Sequence, residues 1–188
     1  MIEFGTLDAM TRGRTGLIIG GAFGLAFIGV NAGAVSPLAV PLRLLAVAAF
    51  VGLFLTPRPP VDRTVADGAA GTAFGRRYWL VVAAEAIAAL AGIVVLKWVL
   101  HAPHLTVAWI ALVVGLHFFA LAAAWQQASL RLLGAAMSAC GAAGLLLGAS
   151  GAGASAVAAV AGIAPGVLLL ASVWWSALAA RPRATAGH

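Results

Sequence analysis

Six apolar stretches of roughly 20 residues, parted by short polar or Pro/Gly-containing breaks, constrain this chain more than any other feature. They run approximately 15 to 35, 38 to 55, 79 to 101, 105 to 125, 130 to 149 and 155 to 179. A hydrocarbon core about 30 Å thick is crossed by about 20 apolar residues in helical form. Lipid offers no hydrogen bonds, so the backbone must satisfy itself within the crossing segment. The stretches are continuous and rich in Ala and Leu, whereas strands of a membrane barrel alternate over about 10 residues. Helices are therefore expected. A chain that is 63% hydrophobic and 9% charged also lies outside the range of water-soluble domains. The reading is an all-α integral membrane protein: one domain over residues 1–188, a six-transmembrane-helix bundle.

The basic residues orient it. Lys and Arg close to helix ends are retained on the cytoplasmic side, and nine of the eleven here lie in alternate connections. Arg12 and Arg14 precede the first helix, and Arg58, Arg63, Arg76 and Arg77 separate the second from the third. Arg131 follows the fourth, and Arg181 and Arg183 follow the sixth. The opposite connections, NAGAVSP, HAPH and ASGAGAS, contain neither Lys nor Arg. Both termini are thus expected in the cytoplasm, and the protein in the plasma (inner) membrane of a prokaryote. The net charge of +6 is distributed over separate juxtamembrane positions. That suits anionic lipid and gives no basic face for nucleic acid.

The first stretch admits two readings. Arg12 and Arg14, the apolar run to Val30 and then Ala32-Gly33-Ala34 have the layout of a secretory signal and its cleavage site. The same run carries Gly16, Gly20 and Gly24 at four-residue steps, a stripe that lets two helix backbones approach closely. A retained helix is expected, with Asn31 on the glycine face and its amide turned to protein. Ala136, Cys140, Gly144 and Gly148 repeat the device in the fifth helix, and Gly162 and Gly166 flank Pro165 in the sixth, where a kink is expected. The first and fifth helices are accordingly expected at the centre. The stripes could seal the bundle internally or dock a membrane partner or a second copy.

The long connection from Thr56 to Arg77 reads as a linker, stiffened by Pro57, Pro59 and Pro60 and loosened by Gly68, Gly71 and Gly75. No repeat relates the two helices before it to the four after it, so an inverted-repeat transporter is not supported.

Most site chemistry is missing. Cys140 is the single cysteine, which leaves no disulfide framework, dithiol or thiolate metal site. The glycine-rich segments are not followed by Lys-Ser/Thr and do not form a strand-to-helix G-x-G-x-x-G, and Gly-x-Ser-x-Gly is absent. His101 and His104 flank Pro103 with no acid beside them, and turn residues are expected there rather than metal ligands. No cofactor, metal or enzymatic activity is expected, because no nucleophile has a visible base.

What remains is a set of ionisable residues inside apolar stretches. Glu85 lies eight residues past Arg77, and His117 lies eight before Trp125. At about 1.5 Å per residue both are about 12 Å inside the same boundary. The tight HAPH turn makes their helices antiparallel neighbours, and Glu85 shares a lane with Val81, Ala88, Ala89 and Gly92. A lone charge near the membrane centre costs about 2.5 to 3.5 kcal/mol on insertion scales, so a partner is expected for each. The pair reads either as a proton-responsive site or as a polar clamp fixing the register of two helices. Asn31, Arg43, Lys97, His101 and His104 stand nearer the other boundary with no carboxylate among them. They would attract anions there, or, for Arg43 and Lys97, reach lipid headgroups. The tryptophans read as interfacial anchors or packing. Asn31, Arg43, Glu85 and His117 are the candidate intramembrane polar site. Two readings lead: a transporter or solute-binding membrane subunit, and a non-catalytic accessory or assembly protein docking a partner through its glycine stripes.

Overall fold

The computed structural model describes residues 3–55 and 76–179, including the side chains of all but 3–15, 76–78 and 81. Most of the proline-rich connection, Arg181 and Arg183 therefore lie outside the described residues. Those described form helices and no strands. α1 spans Glu3–Asn31 and passes into a 3-10 turn, Ala32–Val35; α2 spans Ala39–Leu55. α3, Arg76–Val94, is prolonged by a π turn, Val95–Val99. A 3-10 turn at Pro103–Leu105 leads into α4, Thr106–Trp125, and α5 follows at Ala128–Ala149. α6 is the continuous span Ala154–Ala179, with a π turn at Ala159–Ile163.

Five of these helices are long and apolar enough to cross a membrane: Gly16–Val35, Val82–Val99, Pro103–Trp125, Ala128–Ala149 and Ala154–Ala179. α2 is apolar but has 17 residues. α1 begins well before residue 15, where the sequence places the first stretch, because the polar segment ahead of Gly16 continues the helix.

Local chemistry explains the ends. Pro41 occupies the first turn of α2 and Pro103 precedes α4, positions whose N–H would have no helical partner in any case. α4 stops where Gln126 turns left-handed at φ 54°, and the N–H of Gln127 closes the end on the Ala122 carbonyl. α5 stops before Gly151, whose φ of 84° favours a residue without Cβ. In α6 the π turn lies directly ahead of Pro165, which has no N–H to return to the preceding turn.

The core joins four helices. Phe27 of α1, Ala111 of α4, Met137 of α5 and Leu169 of α6 meet in one buried cluster. In lipid such a cluster gains little from leaving water; close packing holds it. The sequence singles out α1 and α5 as central, and α4 and α6 share that position. Gly134 and Gly141 bring α5 so close to α4 that a Cβ at either would stand within 2.9 Å of a backbone carbonyl, that of Gly115 or Ala108. α1 meets α6 antiparallel, with Gly24 beside Gly166 and Gly20 beside Val173. Gly144 faces Ala108 and Ala161, and Gly148 faces Leu105 and Val157. Gly16 departs from the expected stripe: no atom lies within 4 Å of where its Cβ would be.

The other two helices are peripheral. α2 docks through Ala46 on Ile28 of α1 and Leu170 of α6. α3 packs chiefly on α4, and of its described side chains only Leu96, in the π turn, is buried. Segment 154–158 touches both 32–35 and 103–105, and the three mark one end of the bundle.

Candidate functional site

α3 is fastened to α4 at two levels. Toward the 103–105 end, the Trp109 indole N–H is shared between the carbonyls of Ala88 and Ala89, each 3.3 Å away. Its ring lies against Gly92, where a Cβ would collide with the indole. Two helical turns further along α4, His117 Nδ1 lies 2.5 Å from Glu85 Oε2. Trp109 and His117 are eight residues apart and share a face of α4; Glu85, Ala88, Ala89 and Gly92 share the opposing face of α3. The small residues of that face admit α4 closely enough for a short carboxylate to reach an imidazole.

The pair is the only contact between an acidic and a basic side chain among the described residues. Its chemistry follows from its atoms. A contact between Nδ1 and a carboxylate oxygen requires a proton, donated by Nδ1–H to the carboxylate or by the carboxylic acid to Nδ1. With a neutral imidazole and an ionised carboxylate the pair carries one negative charge. Uptake of one proton makes it neutral overall, and a neutral pair is the form that hydrocarbon tolerates best. Neither His117 Nε2 nor Glu85 Oε1 has a hydrogen-bond partner among the described residues. The side chains are also not sealed: His117 is 30% exposed and Glu85 22%. Each member therefore keeps one polar atom available for a proton, a water or a solute group.

Asn31 and Arg43 form a different corner. Asn31 Nδ2 donates to the Phe27 carbonyl at 2.8 Å, and the side chain lies against Gly162 in the π turn of α6. Arg43 Nε donates to the Gly29 carbonyl at 3.0 Å, one of the last four of α1, which lack helical donors. These bonds close the end of α1, where a cation also suits the helix dipole. The structure thus joins Glu85 to His117 and places Asn31 and Arg43 at the α1–α2 corner, with no hydrogen bond between the two groups among the described residues.

Two tryptophans have a role other than interfacial anchoring. Trp109 pins α3, and Trp174 pins α2: its indole N–H donates to the Ala49 carbonyl at 3.0 Å and its ring lies on Gly52. Both rings rest on a glycine three residues beyond a carbonyl they bind, Ala49 and Gly52 in one case, Ala89 and Gly92 in the other. The repeated Ala-x-x-Gly spacing on α2 and α3 is the signal that sequence reasoning could have used.

Compared with known proteins, the chain matches no family, no curated protein and no solved structure.

Proposed function

We propose that this chain is a multi-pass protein of a prokaryotic plasma (inner) membrane, both termini cytoplasmic, that transports or binds a solute through a proton-responsive Glu85–His117 pair. The contact between Nδ1 and Oε2 carries the reading. A clamp whose only task is register has no need of unsealed polar atoms, whereas a proton-exchanging pair requires them. The reading assigns binding and proton exchange to the site, and no catalysis. The bilayer is its medium, and nucleic acid has no part in it.

Docking through glycine stripes has less to support it. Gly20, Gly24, Gly144 and Gly148 contact neighbours within the chain, and Gly16 alone of the five stripe glycines Gly16, Gly20, Gly24, Gly144 and Gly148 is open.

The pair can be tested before any solute is identified. Purified native and Glu85→Gln protein in proteoliposomes, labelled with ¹⁵N-histidine, is compared by solid-state NMR of the His117 ring nitrogens. A panel of solutes is then screened for binding on the acid and alkaline sides of neutrality. The expected result is a His117 Nδ1 signal that changes in Glu85→Gln, as loss of the contact requires, and a pH-dependent solute signal lost in both Glu85→Gln and His117→Gln although the proteins stay folded. A His117 Nδ1 signal that is the same with and without Glu85, or solute binding intact in both variants, overturns the reading.

A further inference from the structure

A groove between α2 and α6, remote from the pair, has a volume of about 260 Å³ and is open along one side. Ile28 of α1, Leu42, Leu45 and Ala46 of α2, and Leu170 and Ala171 of α6 line it. Trp174 is its one lining side chain with a hydrogen-bonding group, and that N–H is already donated to the Ala49 carbonyl. A polar solute would find no side-chain partner there, so the groove suits hydrocarbon. A cavity of about 150 Å³ already accepts benzene. The volume here takes a stretch of acyl chain, and falls short of the roughly 300–1,000 Å³ of sites for drug-sized molecules.

A charged residue adjoins its lining in the chain. Leu42 and Ile28 are the lining residues of α1 and α2 nearest the 32–35 corner, and their chain neighbours are Arg43 and Gly29. Arg43 gives its Nε–H to the Gly29 carbonyl, and its remaining N–H groups have neither a carboxylate nor any other hydrogen-bond partner among the described residues. A guanidinium matches a phosphate through parallel N–H bonds, and a cation at the membrane boundary requires a counter-charge.

We propose that the groove and Arg43 together bind one anionic phospholipid, an acyl chain lying along α2 and α6 and the phosphate on the Arg43 guanidinium. The site is independent of any solute at Glu85–His117. It adds a molecule of the bilayer to the contacts that hold α2 on α1 and α6.

Native mass spectrometry of the full chain in mild detergent tests it, with phosphatidylglycerol and phosphatidylcholine of matched acyl chains as probes. One phosphatidylglycerol is expected to bind with a preference of about fivefold, the worth of one basic side chain against anionic lipid. Arg43→Gln should abolish the preference, and Arg43→Lys should keep part of it. Ala171→Phe, at an exposed position where the fold is not at stake, should weaken both lipids alike by filling the groove. Excess inorganic phosphate should displace neither. An unchanged preference in Arg43→Gln reduces Arg43 to a cap for α1 and overturns the proposal. Undiminished binding in Ala171→Phe overturns it by removing the groove, and displacement by phosphate does so by assigning a soluble anion.

Discussion

Glu85 and His117 replace water for one another between α3 and α4, and the energetic consequence is that neither can be removed alone without stranding its partner. Glu85→Gln and His117→Gln should each destabilise the protein, and the double variant should lose less than the sum of the two. Coupling energies for contacting residues run about 0.5–3 kcal/mol. The lower half of that range is expected, because exposures of 22% and 30% let a stranded partner reorient toward other polar groups. Unfolding in bicelles measures all three variants, and additive losses would remove the coupling. Trp109→Phe should cost about 0.5–1.5 kcal/mol, the net worth of a typical hydrogen bond, since the ring still covers Gly92. Much of this is legible from positions alone. Glu85 and His117 lie at one depth on antiparallel neighbours, and small residues on the α3 face leave room for contact. The acceptor of Arg43 is not legible. Which carbonyl it meets depends on how the 32–38 corner folds α2 back on α1, and no periodicity encodes that.

The glycines show the same division between elements. Their four-residue spacing marks the faces on which helices can meet, but it does not reveal which glycine meets a neighbour. Gly24 and Gly16 look alike in the sequence. In the fold a Cβ at Gly24 would stand 2.9 Å from the Gly166 carbonyl, a backbone atom that cannot move aside, while Gly16 has open space. Gly24→Leu should therefore push α1 off α6 and cost about 1–3 kcal/mol, the usual range for overpacking. Gly16→Ala should leave stability unchanged or raise it by up to about 1 kcal/mol through helix propensity alone. Thermal unfolding of both variants in one detergent separates them, and equal losses would mean that α1 does not meet α6 through Gly24. The helices themselves follow from the sequence because uninterrupted apolar runs in lipid have one way to satisfy their backbone. At Pro165 the sequence predicts a kink and the fold has a π turn ahead of it, since the missing donor is a property of the residue and tertiary packing decides how the helix absorbs it.

At the scale of the molecule the open quantity is parity, and α2 decides it. Its 17 residues extend about 25 Å, against about 30 Å of hydrocarbon. α6, with 26 residues, extends about 39 Å. A bundle containing both meets the bilayer by tilting the long helix and thinning the lipid around the short one, at fractions of a kcal/mol per Å. Arg43, the fifth residue of α2, sharpens the requirement, because α2 crosses only if that charge reaches a headgroup. Suppose α2 does not cross. Arg12 and Arg14 would then lie on one side of the membrane and Arg58, Arg63, Arg76 and Arg77 on the other, so that one group would violate the retention of basic residues in the cytoplasm. Six crossings keep all of them together, and they put Arg181 and Arg183 on the same side. Reporter fusions at Gly68 and after His188 should accordingly both give a cytoplasmic signal. A cytoplasmic amino terminus with an external signal from Gly68 would show that α2 lies in the interface and that five helices cross.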